Sequence, residues 1–144
     1  MNSKYAVSAL CLVSSVLLYR PAFGHGTETH GKAKHADVQM KKMHHMMPRF
    51  SAAAASLEAA LAKEDLTAAE AEANKILSAL PDLEKSKPHK NLKEGPRFVE
   101  LAKKEKLAVA TTMDIAKKGD FAAALAAFKK AEAVCAECHA KFRD

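Results

Sequence analysis

Cysteine is scarce in this 144-residue sequence, occurring only at positions 11, 135 and 138. Cys11 falls in an N-terminal leader, so a disulfide-stapled fold is excluded, apart from a bridge between the two neighbours that remain. Long apolar runs are also missing. The one candidate, AVSALCLVSSVLL at residues 6–18, is too short to span a bilayer comfortably. Aromatic residues make up 6% of the chain and do not interleave with lysine runs such as LAKKEKLA and DIAKKGD, so a nucleic-acid partner is not expected. No Ser/His/Asp set, phosphate-binding loop or recognisable carboxylate pair occurs, and the chain does not read as an enzyme.

What is present begins with that leader. Lys4 supplies a positive start, residues 6–18 an apolar stretch, and Ala22 and Gly24 the small residues before a cleavage point at His25. This is the layout of a secretory signal peptide over residues 1–24, and it places the mature chain in the periplasm. Lys4 and Arg20 leave with it, so the 23 basic residues fall to 21 against 17 acidic ones, about +4 in net charge.

Residues 25–35, HGTETHGKAKH, have no apolar periodicity and read as a mobile polar arm. Residues 36–144 read as one domain of four helices with no convincing strand. The first runs from Ala36 to Lys63 along a seam of Ala36, Met40, Met43, Met47, Phe50, Ala54, Leu57 and Leu61, with a kink expected at Pro48. The second begins with a capping box, Thr67 to Glu70, and carries Leu66, Ala69, Ala73, Ile76 and Leu80 until Pro81 opens a loop. The third spans Pro96–Lys117, with Phe98, Leu101, Ala102, Ala108, Val109, Thr112 and Ile115 facing inward. Gly119 then suits a left-handed turn and Asp120 an N-cap. The fourth helix shows Phe121, Leu125, Phe128, Ala131, Cys135, His139 and Phe142 at steps of 3 or 4. Two tight turns and one longer connection predict an all-α, up-down-up-down antiparallel four-helix bundle. Its many alanines allow close helix approach and leave room for a large group in the core.

The chain ends VCAECHAKFRD, which sets Cys135, Cys138 and His139 within five residues. A haem clamp, half of a zinc site and a dithiol redox pair all use such residues. Adjacent Cys and His seldom ligate one tetrahedral ion together, and no second cysteine pair exists. A dithiol centre normally sits at a helix N-terminus, whose dipole favours a thiolate, whereas this pair is at a C-terminal end. Cys-x-x-Cys-His is the attachment signature of haem c: two thiols bond the vinyl groups and the next imidazole reaches the iron. One covalent haem c per chain is therefore the expectation, near the C-terminal end of the fourth helix. Phe128 and Phe142 would supply its apolar wall.

A C-terminal Cys-x-x-Cys-His on the fourth helix of a bundle resembles the class II cytochromes c, which include cytochrome c prime and its low-spin, Met-ligated relatives. The resemblance covers residues 36–144. It extends to CAECHAKFR, with Phe142 three residues after His139 and Arg143 four after it, to the long connection at 81–96 and to the KGD turn. It implies electron transfer at a six-coordinate haem, in exchange with periplasmic redox proteins, or binding of nitric oxide or carbon monoxide at a five-coordinate one. Relatives are often dimers through the first two helices, so it also implies a homodimer.

The two outcomes turn on a sixth ligand from the first helix. His139 lies nineteen residues beyond Asp120, and nineteen residues back from Lys63 reaches His44. An antiparallel pair therefore brings the region of residue 44 level with His139. At about 100° per residue Met43 falls mid-seam. Met47 and Met40 lie about 40–60° to one side and Met46 about 60° to the other. Met43 is the expected ligand, with Met47, Met46 and Met40 as alternates. Residues 25–47 also hold five histidines and four methionines, a composition that suits copper or nickel. The alternative is a solvated arm followed by core methionines. A periplasmic metal-binding protein is the third functional reading.

Overall fold

The computed structural model describes the backbone of residues 30–143 and the side chains from Val38 to Arg143. The leader and the first part of the arm lie outside the described residues. Four helices, α1 (His30–Ala62), α2 (Leu66–Glu84), α3 (Gly95–Ala116) and α4 (Phe121–Phe142), form an all-helical bundle with no strand among the described residues. Each helix packs on the next in sequence, and α1 also packs on α4.

The seams read from the sequence are largely those buried. Leu57 and Leu61 from α1, Leu80 from α2, Leu101 and Val109 from α3 and Phe128 from α4 are sealed from solvent. Full burial of such side chains contributes about 1.5–3 kcal/mol each relative to exposure. Alanines at 69, 73, 102, 124 and 131 fill the close approaches. Thr112 is equally enclosed, and its Oγ1 donates to the Ala108 carbonyl at 2.9 Å, so no buried polar atom is wasted there.

Two corners each turn on a residue in the left-handed conformation. After α1, the N–H of Glu64 donates to the Leu61 carbonyl and that of Asp65 to the Ala60 carbonyl, at 3.1 and 3.0 Å. These are the paired bonds of a Schellman ending, with Glu64 left-handed at φ 58°. After α3, Gly119 takes the left-handed position at φ +85°, as expected. Each corner is followed at once by an aspartate cap. Asp65 accepts from the Ala68 N–H and Asp120 from the Ala123 N–H, both at 2.9 Å.

Three boundaries differ from expectation. The polar arm is shorter, because α1 begins at His30 and residues 30–35 are helical. Extending an existing helix adds one hydrogen bond per ordered residue, which alanine and lysine sustain without an apolar face. Asp65, not the Thr67–Glu70 box, caps α2, because the Schellman corner delivers its carboxylate directly to the free amides. Pro81 does not open a loop: α2 continues through it to Glu84. The lost donor to Leu77 is outweighed by Leu80 and Leu83, which reach the core only if the helix persists.

Candidate haem site at the end of the fourth helix

Cys135 and His139 are one helical turn apart on α4, with Cys138 beside them. All three line a cavity of about 680 Å³ between the helices. Its volume lies within the ~300–1,000 Å³ typical of cofactor pockets. α1 contributes Met43, Met47 and Phe50, α2 contributes Ile76 and Leu83, and α3 contributes Phe98, Glu105 and Val109. Phe128 and Phe142 flank the cysteines in α4, and Phe142 meets Phe98 edge-on, with ring centroids 5.4 Å apart. The walls are thus mostly apolar, with two sulfurs and an imidazole grouped on one helix.

The methionines separate. Met43 is buried and lines the cavity, and half-buried Met47 lines it too. Met46 is buried, but neither it nor Met40 is part of the cavity wall. α1 runs on through Pro48, which offers no donor to the His44 carbonyl. His44, placed about 100° off the seam by rotation alone, reaches the cavity rim and stacks on His89.

Burial governs the electrostatics. It pushes the Cys135 thiol far above its ordinary range, and the nearby Glu105 charge adds to the effect. Burial, then Glu105 and Glu137, push Cys138 up to about 11. Neither sulfur is a ready thiolate, which is unlike an activated dithiol centre. For His139, burial and then the Arg143 charge lower the pKa, so the imidazole is neutral near pH 7 with a lone pair free for a metal. The donor set and the apolar walls fit a haem bonded through both cysteines and ligated by His139. Among the described residues, no group of three or more His, Cys, Asp and Glu side chains clusters as a metal site. Residues 25–29 lie outside the described residues, and so do the side chains of His30 and His35.

Two features escaped the sequence reading. Glu105 occupies a seam position, four residues from both Leu101 and Val109, and is 8% exposed. The period would have found it, but its setting in a lysine run disguised it as a surface charge. His89 lies in the connection between α2 and α3, where no periodicity exists to place it. No known protein family, curated protein or solved structure matches the chain. The assignment of function therefore rests on these residues. No described helix is long and apolar enough to cross a membrane.

Proposed function

We propose that this chain is a periplasmic monohaem c-type cytochrome of the class II kind, an electron carrier rather than an enzyme. One haem c would be bonded to Cys135 and Cys138, with His139 as proximal ligand and Met43 as sixth. The observation that carries the reading is that these four residues line one apolar cavity of about 680 Å³. We read the bundle as up-down-up-down, supported by the short corners at 63–65 and 117–120 and the longer connection before α3.

Haem supplies a one-electron iron couple when bound. The chain's residues hold it and set its surroundings. Cys135 and Cys138 anchor the macrocycle, neutral His139 offers its lone pair, and Phe128, Phe142 and Val109 exclude water. A thioether from Met43 raises the potential relative to a second imidazole. Exposed lysines steer acidic redox partners through long-range fields.

A gas-binding site is the second reading. It is favoured by Ala54 and Ala55 in the α1 wall, small side chains that line the same cavity as Met43. Carbon monoxide added to the ferrous protein separates the two: ready uptake marks an open site, and an unchanged spectrum marks a bound methionine.

Expression in a host that matures c-type cytochromes tests the haem assignment. The protein should keep its haem colour on a denaturing gel, and Cys135→Ala should weaken that retention. A colourless wild-type band would end the reading.

A further inference from the structure

Three carboxylates line the cavity, and they are not equivalent. Glu58 and Glu132 both pair with Lys129. Glu105 forms no ion pair with a described residue, is 8% exposed, and shares the cavity wall with Cys135. Burial pushes its carboxyl toward the neutral form, and the nearby Cys135 thiol opposes that. Attachment of haem changes this balance. As Cys135 adds to a vinyl group, the S–H bond breaks, an S–C bond forms, and the hydrogen goes to the neighbouring vinyl carbon with no net oxidation. The thioether has no hydrogen left to donate. Glu105 is then a buried acid in the wall of the same cavity, without the thiol that opposed its protonation.

Building on the haem reading, we propose that Glu105 is the proton-coupling residue of this cytochrome, taking up a proton when the iron is reduced and releasing it on oxidation. One electron arrives from an external one-electron donor and one proton from water at the cavity mouth. The carboxylate becomes a carboxyl group, and the net charge inside the cavity is unchanged. In a low-dielectric wall this is the favoured response, because an uncompensated charge there is poorly screened.

The surrounding groups leave this role to Glu105. α2 contributes only apolar Ile76 and Leu83 to the cavity. On α4, Cys138 is consumed as Cys135 is and His139 is committed to the iron, and the Arg143 side chain follows at the helix end. Glu58 on α1 and Glu132 on α4 each have Lys129 as an ion-pair partner. His44 on α1 and His89 in the connection stand at the rim. Both are kept in every variant, as are the haem propionates, so a difference between variants is not theirs.

The experiment measures reduction potential against pH on the haem-loaded mature chain, for wild type, Glu105→Gln and Glu132→Gln. In wild type and Glu132→Gln the potential should fall with rising pH. The steepest slope should approach about 59 mV per tenfold change in proton concentration. In Glu105→Gln the curve should flatten over that window. Redox-difference infrared spectra should show a carboxyl band on reduction that Glu105→Gln alone removes. If the Gln variant does not accumulate, Glu105→Leu, which fills the site without a carboxyl, should give the same flattening. Covalent haem with an unchanged pH dependence in both Glu105 variants overturns the role of Glu105 alone. Absence of covalent haem in wild type overturns the haem reading and this inference together.

Discussion

The imidazole of His44 on α1 stacks on that of His89 in the α2–α3 connection, with ring centroids 5.0 Å apart and planes 6° from parallel. The same connection is tied to the end of α4. Lys90 N–H donates to the Phe142 carbonyl at 3.4 Å, and Asn91 Nδ2 donates to the Lys141 carbonyl at 2.7 Å. It thus joins two helices across the rim of the cavity. His89→Ala should lower stability by about 0.5–1.5 kcal/mol, the range for a ring pair. Amide exchange over residues 86–92 should quicken while the core of α3 stays protected. Unchanged exchange there would mean the backbone ties suffice without the stack.

Met43 should be the methionine whose removal is read at the iron. In the haem-loaded protein, Met43→Ala should abolish the Met–iron charge-transfer band. Met46→Ala and Met40→Ala should keep it, because neither residue lines the cavity. Burial of Met43 also means a stability cost of about 2–5 kcal/mol on truncation. Met43→Leu, which keeps the bulk, separates ligation from packing. A band that survives in Met43→Leu and disappears in Met47→Leu would transfer the role to Met47.

The two corners make opposite predictions. Glu64 holds φ 58° with a side chain, where Gly119 holds φ +85° without one. Glu64→Gly should therefore leave the protein as stable or raise its stability by up to about 1 kcal/mol. Gly119→Ala should cost about 1–2 kcal/mol from backbone conformation alone, since nothing lies within 4 Å of the added carbon. Asp65→Ala and Asp120→Ala should each cost about 1 kcal/mol as lost caps. Urea midpoints at constant slope would check all four.

The chain without haem should lose stability in alkali. Its thiols are raised on folding, Cys138 from 9.0 to about 11 and Cys135 in the same direction. The native state therefore holds protons that the unfolded chain has released. Stability is unaffected below pH 9 and falls as pH rises toward about 11, with Cys135 extending the fall further. Cys135→Ala with Cys138→Ala should flatten that limb, and so should haem attachment, because a thioether does not titrate. A steep limb in the double variant would trace the loss to other groups.

Much of this protein is a property of neighbours along the chain, and the sequence by itself determined that much. Steps of 3 and 4 from Phe121 to Phe142 set Cys135 and His139 on one face of α4, and Gly119 with Asp120 marked a corner later found in place. Helical period and capping depend on residues within one or two turns, so they can be read locally. Tertiary structure decided the rest. Whether Pro81 ends a helix depended on Leu80 and Leu83 finding a core, and which residue capped α2 depended on how α1 ended. Met46 and Met47 are adjacent in sequence, yet only Met47 lines the cavity. Glu105 sits in a run of lysines and became an interior acid because α4 covers its face with Cys135. Burial is shared among several helices, and no local pattern states which faces will meet.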